Sequence, residues 1–395
     1  MTANLDVDPD GDVLATLSEP TGSFAPAARV EVPQVPDSND NSNPPATQDA
    51  TGDGTENQDN AERDGKYRAP PPTEYRLRLS SKHLMLASPY LRKMYSGPWK
   101  EAMERDKDGF LSWDVGDLFD PKAFIIVMQV VHGLNRKVPR AVDLELLAKI
   151  AVVTDYLQCH ESMEILSALW IDNLRMSLPQ TYCRELILWT MISSIFRDQA
   201  SFGLATRTTI LKSDEKVTFD GLPVHEDIVR KLEDHRQNLL ELLFDSFYSA
   251  VDRLRAGRCR PECDAILLGS LIKQTKTIDL LQPRKHKPFH GVSVAGVEKE
   301  IAGLSTPTWY HSSEVDVEIE YDTYSFPGKG YSYKKKFKKK KKKPIEEKYP
   351  EFNETSSETE IKEQQGHPCT LGELFRHVED LQAGVQGLEL KEILG

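Results

Sequence analysis

The chain has 395 residues, a formal charge of −12 and a pI near 5.4, which excludes a general nucleic-acid binder, because that needs a net basic surface. Apolar residues concentrate between Tyr75 and Gln282, and no apolar run reaches the length of about 20 residues that crosses a bilayer. Five cysteines, odd in number, widely spread and behind no apolar leader, suit a reducing compartment, so the expectation is a soluble intracellular protein of nucleus or cytoplasm.

Residues 1–72 are rich in Pro, Asp, Asn, Thr and Gly, a composition that cannot bury enough surface to offset chain entropy, and residues 1–9 read as unstructured. Asp10-Gly-Asp-Val-Leu-Ala-Thr-Leu17 stands out as a turn signal followed by a β-prone run. Tyr75, Leu77 and Leu79 then alternate with Arg76, Arg78 and Ser80, the period of a half-buried strand. From Ser81 the period changes: Leu84, Ala87, Leu91 and Met94 fall at spacings of three and four, with Ser88-Pro89 splitting the run into two short helices. Phe110–Val115 reads as a strand. Asp120-Pro121 caps a helix whose stripe is Phe124, Val127, Met128 and Val131 and which ends at Gly133; Asp143 caps the next, with Leu144, Leu147, Ala148 and Ala151 inward.

This order, with Ser81-Lys-His-Leu-Met-Leu-Ala-Ser-Pro89, Asp120-Pro-Lys-Ala-Phe124, Val131-His-Gly133, Lys137-Val-Pro139 and Leu147-Ala-Lys-Ile-Ala151 through Asp155-Tyr156, resembles the BTB/POZ domain and is similar to a fungal group of BTB proteins. The resemblance implies an α+β BTB/POZ core, a small sheet flanked by helices, over residues 74–176. It also implies a scaffold that binds other proteins and is not an enzyme. In that fold a strand pairs with Tyr75–Leu79, and residues 10–18 are the expected partner across a disordered insertion at 19–73, a loop tolerable because closure entropy grows only logarithmically. The competing reading leaves all of 1–72 as a tail. BTB domains often dimerise through an extra N-terminal helix and strand, for which there is little room before Asp10, although self-association stays open.

Beyond the core, a helical region is expected over 177–310. Helices run from Met163 to Leu174 and from Pro179, the latter with Leu186, Trp189, Ile192 and Phe196 inward, and a Ser/Thr-rich connection follows. The longest helix, His225 to about Leu254, carries the stripe Ile228, Leu232, His235, Leu239, Leu242 and Ser246, with His235 read as a core histidine. A further helix runs from Asp264 to Leu281, and Pro288–Tyr310 docks on the region. Residues 311–365 are acidic, lysine-rich and acidic again and read as disordered. Residues 366–395 read as a C-terminal helix opened by the capping box Thr370-Leu-Gly-Glu373, with Leu371, Leu374, Phe375 and Val378 on its apolar face.

Three motifs remain. Trp99-Lys-Glu101 follows the helix near Met94, where cullin-binding BTB proteins carry a hydrophobic-x-Glu motif; an apolar anchor with an orienting carboxylate is the arrangement of a hot spot, and the competing reading has Trp99 covering the core. The tract Lys334, Lys335, Lys336, Lys338, Lys339, Lys340, Lys341, Lys342 and Lys343 suits the acidic groove of a nuclear import receptor, or is a solvated low-complexity run. Cys259-x-x-x-Cys263 and His367-x-Cys369 are two ligand pairs from which a structural zinc site can be assembled, against the reading of reduced thiols. No other cofactor is expected. The preferred function is a noncatalytic protein–protein adaptor. The alternatives are a substrate adaptor of a cullin-type ubiquitin ligase and a nuclear transcriptional coregulator, without membrane contact or direct sequence-specific nucleic-acid binding.

Overall fold

The computed structural model describes residues 2–25, 74–275, 284–307, 369–378 and 381–394. They divide into two compact units: Met1–Ser246 with Pro283–Glu300 and Val378–Gly395, and Phe247–Gln282 with Ile301–His377.

The first unit is mixed α+β and built on a four-stranded sheet. Its strands β1 (Thr2–Asp6), β2 (Val13–Ser18), β3 (Glu74–Leu79) and β4 (Leu111–Gly116) lie in the order β1-β3-β2-β4. β2 is antiparallel to β3 and parallel to β4, and β1 is parallel to β3. The period of two decides the faces: Val13, Ala15 and Leu17 of β2, Leu77 and Leu79 of β3, and Leu111, Trp113 and Val115 of β4 are all buried. β2 lies where the sequence pattern placed a strand, paired with β3 across residues 19–73. Residues 1–9 require a correction, since Thr2–Asp6 form an edge strand. Its mostly exposed residues give no clear alternation; the main-chain ladder to β3 holds it, with Leu5 packed against the core and the Thr2 hydroxyl donating to Glu74 at 3.3 Å. The insertion also begins later than expected: the Glu19 carboxylate accepts from the Tyr75 hydroxyl at 2.8 Å, and Phe24 packs against the core. Residues 26–73 and the lysine tract lie outside the described residues.

Helices α1 (Ser81–Ala87), α2 (Pro89–Ser96) and α3 (Lys100–Met103) follow β3. Ser80, at the N-cap position of α1, makes no side-chain cap bond; Asp12, from the β1–β2 turn, accepts the N–H and O–H of Ser81 at 2.8 Å each. Ser88 caps α2, accepting from the Leu91 N–H at 2.9 Å, so Ser-Pro both ends one helix and starts the next. α4 (Pro121–Val131) and α5 (Leu144–Leu157) begin on Asp120 and Asp143, which accept from Ala123 N–H (3.0 Å) and Leu146 N–H (2.7 Å). α4 is apolar around most of its circumference because the sheet covers one side and helices the other. Phe124 is fully buried with its ring 5.6 Å from that of Trp113, and such burial stabilises by about 1.5–3 kcal/mol.

α6 (His160–Leu174), α7 (Arg184–Ile195) and α8 (Gln199–Lys212) continue the unit. The core runs without a break from the sheet to Leu186, Trp189 and Ile192 of α7, so residue 176 is no packing boundary. α8 replaces the expected Ser/Thr-rich connection. Its threonine hydroxyls are satisfied inside the helix, Thr206, Thr208 and Thr209 donating to the carbonyls of Phe202, Leu204 and Ala205 four residues back.

α9 (Glu226–Ala256) gives its first part to the first unit and its last turns to the second. The expected stripe holds at Ile228, Leu232 and Ser246 and departs between them: Arg236, Leu240 and Leu243 are buried, whereas His235 and Leu242 are exposed. His235 is therefore not a core histidine. Arg236, with no exposed surface, donates to the carbonyls of Ser213 (3.1 Å), Asp214 (3.0 Å), Phe289 (3.0 Å) and Val292 (3.4 Å) and pairs with Glu233 at 3.0 Å.

The second unit holds the end of α9, α10 (Pro261–Gln274), residues 301–307 that close α11 (Val294–Ala302), and α12 (Gly372–Phe375). α10 ends at Gln274, earlier than expected. The anticipated C-terminal helix over 366–395 is instead α12 with a 3₁₀ turn at Arg376–Val378, then α13 (Leu381–Gly384) and α14 (Lys391–Leu394). The capping box is half made: Thr370 Oγ1 accepts from the Glu373 N–H at 3.4 Å, while the Glu373 carboxylate pairs with Arg258 at 2.7 Å.

Candidate functional site

Two places in the fold gather unusual chemistry, one in each unit. In the first, Trp99 is the N-cap residue of α3 and 58 % exposed, and Met103, one turn on, is 72 % exposed. The alternative in which Trp99 covers the core is thus excluded: its indole lies over Gly97, where a β-carbon would meet the ring at 2.5 Å, and otherwise faces solvent. Glu101 sits in the first turn of α3, half-buried, where a carboxylate complements the helix dipole. Met103 was not singled out in the sequence; its i+4 relation to Trp99 was the available signal.

A groove of about 420 Å³ beside the sheet is lined by Phe24, Phe119, Asp120, Glu145 and Lys149. Lys149 bonds Asp120 at 3.0 Å and Glu145 at 3.5 Å. Burial alone would lower its pKa, but the two carboxylates outweigh it and raise the value, so the side chain is a paired ammonium rather than a nucleophilic amine.

In the second unit, α9 ends at Gly257, whose φ of +91° suits glycine, and the chain passes through Cys259 and the N-cap residue Arg260 into α10, with Pro261 at its first position. Cys263 is buried in the first turn of α10, where the helix dipole favours a thiolate. Cys369, far along the sequence, is brought to the same point, and the Sγ atoms of Cys259, Cys263 and Cys369 all lie within 4.8 Å of one another. Three of the four expected ligands thus meet, and they could hold a metal ion; His367 lies outside the described residues. None of the five cysteines is in a disulfide.

Burial, with the neighbouring thiols adding to it, pushes the Cys263 thiol up to about 12, and burial likewise raises Cys369. Without a cation Cys263 and Cys369 resist ionising, and a divalent cation opposes that, because thiolate is the ligating form. Asp264 was missed by the motif search. It is 6 % exposed, and its Oδ2 accepts the N–H groups of Arg258 (2.9 Å) and Cys259 (3.1 Å), which fixes the loop that presents Cys259. An acidic residue directly after a cysteine in a first helical turn was the signal. Cys159, by contrast, is buried away from this cluster, its thiol pushed up to about 12 by burial and directed at the Thr154 carbonyl.

Among the described residues no helix is long and apolar enough to cross a membrane. Comparison with protein-family models and with curated proteins returned no match to this chain.

Proposed function

We propose that the protein is a noncatalytic adaptor that binds another polypeptide through a BTB/POZ-type core in its first unit. The observation that carries this reading is the exposed apolar pair Trp99 and Met103 on α3, held out from a sheet whose strands and helices follow one another in the order the sequence resemblance implies. Large exposed aromatic and thioether side chains are typical anchors of protein interfaces. The test is recovery of partners from cells with tagged full-length protein and its Trp99→Ala, Met103→Ala variant. Loss of a partner set is expected, and an unchanged set ends the reading for this surface.

The half-buried Glu101 beside Trp99 favours one particular partner class, the scaffold of a cullin-type ubiquitin ligase. Purified protein should bind a purified cullin N-terminal domain, and Trp99→Ala with Glu101→Ala should abolish that binding; equal binding by the variant sinks this version. The three-thiol cluster of the second unit we read as a structural zinc site. Three converging thiolates are soft ligands that suit zinc, which takes a tetrahedron with Zn–S bonds of about 2.3 Å.

A further inference from the structure

Building on zinc occupancy of the three-thiol site, we infer that the ion also controls the chain's architecture: attachment of residues 369–376 to the second unit is conditional on metal. The segment is weakly equipped to hold itself. α12 is a single turn with a 3₁₀ turn behind it, far below the length at which a helix is stable alone. Its grip includes buried Leu371, Leu374 and Phe375, the Phe375 ring 4.9 Å from that of Phe247, the Cys369 thiol against those of Cys259 and Cys263, and polar contacts of its main chain and of Glu373. Arg253 donates to the Leu374 carbonyl at 2.8 Å, the Leu371 N–H to Thr306 Oγ1 at 3.1 Å, and the partly exposed pair Arg258–Glu373 meets at 2.7 Å. Residues 308–368 separate this segment in sequence from the part of the unit it docks on.

Metal changes the connection. Two ligands sit on the α9–α10 corner and the third on the docked segment, so one ion cross-links the two. The corner is prepared in advance by Asp264, which holds the Cys259 amide. Cys263 is buried and Cys259 is exposed, so the site has a solvent-facing side through which an ion can enter or be removed. A buried metal would be permanent; this one is exchangeable, and the segment is released when it leaves.

The test uses full-length protein purified under reductant. Elemental analysis should give one zinc per chain, and hydrogen exchange should be compared between the zinc-loaded protein and the same protein stripped by a chelator. Stripping is expected to raise exchange of the amides of Leu371–Phe375 by about tenfold or more, leaving α5 unchanged, and zinc added back should restore protection. Cys369→Ser should reproduce the stripped state, and Cys259→Ser, at an exposed loop position, provides a second variant that need not disturb the core. One zinc per chain with unchanged exchange on stripping overturns the inference and leaves the zinc reading standing. No zinc bound, or a disulfide among the three cysteines, overturns both.

Discussion

His132 shows how a single side chain can tie folding to pH. It is 9 % exposed, its Nδ1–H donates to the Met128 carbonyl at 2.8 Å, and its Nε2 accepts the Ser80 N–H at 3.0 Å, an arrangement only the neutral ring can make. Burial lowers its pKa, and the adjacent His83 acts in the same direction; the Met128 bond and Asp8 oppose them without reversing the sign. The folded protein therefore favours the uncharged form. Its contribution to stability is complete above the unfolded value of about 6.5 and is lost as pH falls from there towards the folded value. Urea unfolding at pH 7.5 and 5.5 should show a lower midpoint at the acid value, and His132→Asn should reduce that difference. Asp12 works on the acid side. Burial would raise its pKa, but the Ser81 N–H and O–H outweigh this and lower it, so its contribution is present above about pH 4 and disappears as pH falls further. Asp12→Ala removes a side-chain acceptor from the first turn of α1 and should cost about 1–2 kcal/mol in denaturant melts.

At the scale of elements, the segment Leu381–Leu394 is held along α8 by side chains directed at its main chain. Gln199 bonds the carbonyl of Leu388 and the N–H of Leu390, Thr206 accepts the Leu388 N–H, and Arg207 donates to the carbonyls of Val385 and Gln382. The approach is so close that a β-carbon on Gly387 would lie 1.9 Å from the Gly203 carbonyl oxygen. Gly387→Ala should therefore loosen this segment, read as faster hydrogen exchange over residues 385–391 with the sheet unaffected. Arg236→Met removes five bonds that no apolar side chain replaces and leaves buried carbonyls unpaired, at a cost of about 3 kcal/mol or more in the melting of the first unit. These two elements also mark where sequence reasoning stops. The strands β2, β3 and β4 were legible because burial on one face enforces alternation, and α4 and α5 because Asp120 and Asp143 announce them. α8 was not, since Thr and Ser favour turns until their hydroxyls find carbonyls one turn back, and β1 has no pattern of its own. In α9 two adjacent stripes compete, and only the carbonyls awaiting Arg236 choose between them. The thiol cluster was legible as ligand types and illegible as geometry, because nothing local indicates that Cys369 returns to Cys259 and Cys263.

For the whole molecule, the pairing of β2 with β3 does not depend on the length of what joins them. Glu19 and Phe24 fasten the near end of the connection, so replacing residues 26–73 with a Gly/Ser linker of about 12 residues should leave the melting transition of the first unit unchanged or raise stability by about 1 kcal/mol, the loop-entropy difference for two halvings of length. A large loss would show that the replaced residues carry contacts of their own.

The strand order has a further consequence during synthesis. β2 becomes the centre of the sheet, yet it leaves the ribosome before either neighbour exists, and its antiparallel mate and parallel mate follow only with residues 74 and 111. For that interval an apolar ribbon destined for the interior has nowhere to go. The native sheet can therefore close only after residue 111 has been made.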